Sequence, residues 1–207
     1  MNDGSGTLVF WILVPLFVAV GFYLIWYSRR RKKMLEAFAQ THQLMIRSEY
    51  REELQKVLDG CFSIKGMGLV RSFDSLSSLV YGESIWVFSA VELLDLNPHA
   101  QSSSTHFSRI AALFNISTDY EEFFILDSSM RAYKRIPGSK APDSNITDLV
   151  KQIAMSCKAR HSLSVTLTHG RGLIYFEPLV TGGETNSDIS ALYCIARGLS
   201  EELSGDE

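Results

Sequence analysis

Side chains able to do metal or acid–base chemistry are sparse and scattered in this chain. The five histidines are His42, His99, His106, His161 and His169. None falls in a His-Glu-x-x-His run, and no Cys-x-x-Cys exists, so no sequence-local metal site and no cofactor are expected. Gly66-Met67-Gly68 resembles a fragment of a phosphate-cradling loop, but it lacks a third glycine and the Lys-Ser/Thr of a P-loop. A turn or bulge is the plainer reading. No Gly-x-Ser-x-Gly elbow occurs, and the serines of 72–78 and 102–104 read as loop composition. Two polar pairs remain. His106 and Arg109 open an apolar strand, where they could bind an anion. Residues three apart on a strand point to opposite faces, which disfavours a joint site. His169 and Arg171 sit at a hairpin tip, either as ordinary exposed residues or as a recognition loop. Glu177-Pro178 with Gly182-Gly183-Glu184 reads as an acidic connector that could touch a partner.

The elements around these residues begin with a membrane signal. Leu8 to Tyr27 are 20 consecutive uncharged residues. As a helix they would span about 30 Å, the thickness of a bilayer's hydrocarbon core. Trp11 lies near one end and Tyr23, Trp26 and Tyr27 near the other, where aromatic rings favour the interface. A cleaved signal peptide does not fit, because Met1 to Thr7 contains no cation and no small-x-small site follows the span. The block Arg29, Arg30, Arg31, Lys32 and Lys33 then sets orientation: N-terminus out, C-terminus in the cytoplasm. Contact between those cations and anionic lipid is a further expectation. The implied division is an outer N-terminus at 1–7, a transmembrane helix at 8–28, a basic stalk at 29–48, a cytoplasmic domain at 49–200 and an acidic tail at 201–207.

Charge and cysteine content narrow the function classes. With the five cations at 29–33 and Asp3 set aside, residues 34–207 carry 15 Lys and Arg against 22 Asp and Glu, about −7. Such a domain has no broad attraction for phosphate backbones, so nucleic acid is not an expected partner. About 160 folded residues suffice for one core. Cys61, Cys157 and Cys194 are odd in number and far apart, and for a cytoplasmic domain they read as reduced thiols.

Further along, Met34 to Gln43 continues the anchor helix. Tyr50, Leu54, Val57 and Leu58 predict a short helix over 49–58, closed by Gly60. The period then changes to strands over 62–73, 84–94, 106–116 and 121–127, with turns at Asp74-Ser75, Gly82-Glu83, Asn97-Pro98 and Ser117 to Asp119. In Ile85-Trp86-Val87-Phe88 and Ala111-Ala112-Leu113-Phe114 both faces are apolar, which predicts central strands covered on each side. Pro137 to Asp143 forms a break. A helix capped by Asn145 follows, then a hairpin over 163–177, then a helix capped by Ser187 and a frayed tail from Glu201. This order predicts an α+β domain with a largely antiparallel sheet and about three helices behind the transmembrane helix.

The segment Ala39-x-x-His42-Gln43-Leu44, the strands at Ile85 to Phe88 and His106 to Phe114, and the hairpin Leu163 to Phe176 resemble a loosely defined group of uncharacterised bacterial proteins. Members pair one N-terminal anchor with an α+β cytoplasmic domain. Ser89-Ala90-Val91 departs from the more polar, aromatic run that this resemblance implies. The resemblance brings no activity and no site residues. The expectation is a bacterial inner-membrane protein whose cytoplasmic domain is a non-enzymatic interaction module or accessory subunit, with the bilayer and a membrane or cytoplasmic protein as partners. The alternative is a membrane-tethered enzyme or ligand sensor built from His106, Arg109, His169 and Arg171.

Overall fold

The apolar run and the basic block belong to one helix. In the computed structural model, which describes residues 4–66, 69–82, 84–95, 105–134, 140–177 and 185–204, α1 runs unbroken from Gly4 to Thr41 through Pro15. In its first half, Trp11, Phe17 and Phe22 are 71%, 72% and 70% exposed. Among the described residues no helix is long and apolar enough to cross a membrane. The side chains at 8–10, 12 and 24 lie outside that description. The second half of α1 is different. Leu35, Phe38 and Ala39 are buried in the main core, and the Phe38 ring meets Tyr193 edge-on at 5.4 Å. The stretch expected as a stalk therefore enters the domain.

The sheet contains β1 (Met45–Ile46), β2 (Ile64–Gly66), β3 (Leu69–Tyr81), β4 (Ile85–Asp95), β5 (Thr105–Asn115), β6 (Glu121–Leu126), β7 (Ala132–Lys134), β8 (Leu163–Thr168) and β9 (Arg171–Phe176). Its order is β1-β3-β4-β5-β9-β8-β6-β7, with β2 also on β3, and every described pairing is antiparallel. The α+β expectation holds at this level. β4 and β5 are central and apolar on both sides because both faces are covered. On one face Val87, Ile110, Ala112 and Phe114 pack with α1, α3 (Ser144–Ser156) and α4 (Asn186–Ser204). On the other, Phe88, Ala90, Ala111, Leu113 and Tyr175 pack under α2 (Arg51–Val57) and the π turn Leu58–Phe62.

Local chemistry explains several boundaries. The β8–β9 hairpin turns on His169 and Gly170 at φ 50° and 68°, the two left-handed residues that a tight two-residue hairpin requires. Gly172 lies opposite Phe114, and a Cβ there would overlap the ring, so the glycine seats the aromatic. Other expectations are corrected. Asp74-Ser75 is no turn: β3 runs through it, and the register shift between Asp74 and Ser78 absorbs two extra residues as a bulge. Gly60 lies inside the π turn rather than capping α2. α3 is capped by Asp143, whose carboxylate accepts from the Asn145 and Ile146 N–H groups. α4 is capped by Thr185. Its hydroxyl accepts from the Asp188 N–H, and Asp188 accepts from the Thr185 N–H in return. Leu203 is buried, so α4 stays ordered past Glu201.

The cysteines also differ from expectation. Cys157 at the end of α3 and Cys194 in α4 form a disulfide, with Cα atoms 5.9 Å apart, while Cys61 is free. Close packing of the two helices, with Gly198 against Ile153, brings together residues 37 apart in sequence. The Gly66-Met67-Gly68 motif, the Asn97-Pro98 turn, the start of the Pro137 break and the Gly182-Gly183-Glu184 loop lie wholly or partly outside the described residues.

Candidate functional site

The most concentrated polar chemistry lies inside the sheet. Ala90 pairs with Arg109 and Ala111 pairs with Tyr175, so alternation places Glu92, Arg109, Tyr175 and Glu177 on one face of three adjacent strands. Glu92 is 0% exposed and Arg109 2%. Glu92 Oε2 accepts from Arg109 Nε and Nη2, both at 3.1 Å, and Oε1 accepts from the Tyr175 hydroxyl at 2.6 Å. Arg109 Nη2 also reaches Glu177 Oε2 at 3.4 Å, and its guanidinium lies 5.0 Å from the Tyr175 ring centroid. Burying a lone carboxylate costs several kcal/mol, and here a cation and a phenol offset that cost. Both Glu92 oxygens are engaged and shielded from solvent. The cluster ties β4, β5 and β9 together on one face of the sheet.

Of the polar pairs singled out in the sequence, Arg109 and Arg171 have different partners. Arg109 belongs to the buried cluster. The His106 backbone pairs with Leu93, and its side chain lies outside the described residues. His169 is exposed at the hairpin turn, and Arg171 Nη1 donates to Asn115 Oδ1 at 2.6 Å. Asn115 is six residues along β5 from Arg109, about 20 Å at a strand's rise per residue. Arg109 and Arg171 are thus held apart on β5 and at the hairpin, and the His106 side chain, the other half of the first pair, lies outside the described residues.

The basic block is divided by the fold. Arg31 turns inward and is buried, with Nη1 donating to Ser89 Oγ at 3.4 Å and the guanidinium 4.9 Å from the Tyr27 ring centroid. Lys32 Nζ pairs with Glu36 at 3.8 Å. Arg29, Arg30 and Lys33 are exposed and line a 510 Å³ cavity together with Trp26 and Asn186 at the start of α4. Arg30 lies 5.6 Å from the Trp26 ring centroid. An 870 Å³ cavity is lined by Tyr81, Asn115, Tyr193 and Arg197, among others. There Glu201, hydrogen-bonded to Arg197 at 2.6 Å, raises the Arg197 pKa above its usual range. Among the described residues no group of three or more His, Cys, Asp or Glu side chains could hold a metal ion.

No known protein family, curated protein or solved structure matches this chain.

Proposed function

We propose that this chain is a single-pass membrane protein, N-terminus out, whose cytoplasmic α+β domain is a non-enzymatic interaction module or accessory subunit of a bacterial inner-membrane assembly. The observation that carries this reading is the two-part character of α1. Its uncharged first half exposes large apolar side chains all round, an arrangement costly in water and ordinary in lipid. Its second half places Leu35, Phe38 and Ala39 in the core. From Tyr27 to Leu35 is about 12 Å of helix rise, so the domain would stand directly on the membrane surface without a hinge.

The Cys157–Cys194 bridge bears on which side the domain occupies. Disulfides are rare in the cytosol of mesophiles, where most are transient or redox-sensing. The five cations at 29–33 act during insertion and set the side, so a domain kept inside would carry this bridge as a reversible link. A C-terminal green-fluorescent-protein fusion reads the topology: fluorescence supports the cytoplasmic assignment, and a dark fusion with active alkaline phosphatase in its place overturns it. Crosslinked co-purification, with Leu8 to Tyr27 replaced by polyleucine, tests the module. Partners that survive the replacement support it, and a monomer without crosslinks contradicts it.

A further inference from the structure

We infer that Arg29, Arg30 and Lys33, with Trp26, form one defined site for the phosphate of an anionic phospholipid headgroup, whereas Arg31 and Lys32 take no part in it. This inference rests on the membrane-anchored reading above and adds a ligand to it. Residues 26, 30 and 33 follow one another at helical spacings of four and three, so they share a stripe on α1. Arg29 flanks the stripe. The stripe faces the start of α4, and the 510 Å³ space between them is lined by those cations. Arg31 is occupied by Ser89 and Tyr27, and Lys32 by Glu36. Arg29, Arg30 and Lys33 carry no ion pair among the described residues, and Arg30 lies against the Trp26 ring. Three cations without an ion pair among the described residues, around one concave space, favour a compact anion, and guanidinium forks suit phosphate oxygens. The site begins within the last turns of the apolar stretch, at the level where lipid phosphates would lie. Trp26 borders it, as an aromatic that prefers this interfacial layer. The same phosphate chemistry could come from a free anion. Its position beside the span selects the lipid.

The full-length protein reconstituted in nanodiscs of mixed phosphatidylglycerol and phosphatidylcholine provides the test. Retained lipid is counted by native mass spectrometry, and insertion is checked by resistance to carbonate extraction. The wild type is expected to retain one phosphatidylglycerol. Arg30→Gln and Lys33→Gln are each expected to weaken that retention by about tenfold or more, the scale of one lost charged hydrogen bond. Lys32→Gln removes the same charge and is expected to leave retention unchanged. Equal loss in all three variants would overturn the defined site in favour of diffuse attraction. An inserted wild type that prefers neither lipid would overturn the site while sparing the anchor. Displacement of the lipid by millimolar inorganic phosphate would reassign the site to a free anion. Extraction by carbonate would remove the anchor and the site together.

Discussion

Replacing Arg109 with methionine isolates the energetic role of the buried cluster. The substitution keeps much of the side-chain volume and removes the guanidinium. Glu92, at 0% exposure, would lose two of its three described hydrogen bonds and keep the one from Tyr175. Breaking a buried ion pair from one side costs about 3–5 kcal/mol, because the remaining charge is stranded in a poorly solvated site. Against a total domain stability of about 5–15 kcal/mol this is a severe loss. For a chain of this size it corresponds to a fall in Tm on the order of 10 °C. Chemical denaturation of the solubilised full-length protein, followed by tryptophan fluorescence, measures it. A second substitution, Glu92→Gln, in the Arg109→Met background removes the stranded charge while leaving an acceptor for Tyr175. It is expected to recover at least about half of the loss, since removing both charges of a buried pair is often close to neutral. A loss below about 1 kcal/mol for Arg109→Met, within the range of exposed pairs, would refute the reasoning. So would a double variant no more stable than the single one.

Three further outcomes follow from the packing and from the polar turns. Gly172→Ala drives a Cβ into the Phe114 ring and is expected to cost about 1–3 kcal/mol in denaturant midpoint, with Phe114→Leu in the same chain recovering part of it. Cys194→Ser opens a link between residues 37 apart, and chain entropy alone assigns about 4 kcal/mol to that link; denaturation with and without reductant should show equal losses for reduction and substitution. The backbone N–H of Arg131, with further bonds from its side chain and from Ser129, holds the Asp127 carboxyl below its ordinary 3.8. Its stabilisation is therefore present above that ordinary value and disappears as pH falls through the lowered one. Amide exchange at Ser129 and Arg131 should accelerate, beyond its intrinsic pH dependence, on the acid side in the wild type, and Asp127→Asn should remove that extra response.

Local chemistry was readable from the chain, whereas its long-range pairings were not. The His169-Gly170 turn lies between two apolar runs, and its φ demands are written in two adjacent residues. β4 and β5 announce themselves because both of their faces are apolar, and both are covered. Helix starts were misplaced by two residues, since Asp143 and Asn145, like Thr185 and Ser187, are all competent caps. The choice falls to whichever carboxylate or hydroxyl reaches the first free N–H groups. The Glu92–Arg109 pair depends on a strand register set by residues 17 apart. Its sequence signal is one acidic and one basic side chain, Glu92 and Arg109, inside two central strands whose neighbouring positions are largely apolar, where each requires a partner of opposite sign. The cysteine pairing is not legible because the cations speak to compartment alone, whereas the bridge depends on the packing of α3 against α4. Even the basic block, legible as a unit, is divided: the i,i+4 pair of Lys32 with Glu36 is local to the helix, but the contact of Arg31 with Ser89 is one that only folding supplies.

Hydrogen exchange over α1 in the full-length protein, reconstituted in lipid nanodiscs, tests most directly whether one rigid helix both crosses the membrane and enters the domain core. The continuous arrangement predicts slow exchange from residue 8 to residue 41, with no fast segment at Arg29 to Met34. Fast exchange at 8–27 would mean that the apolar half lies in water. A fast hinge at 29–34 would mean that the domain hangs from its anchor instead of standing on it.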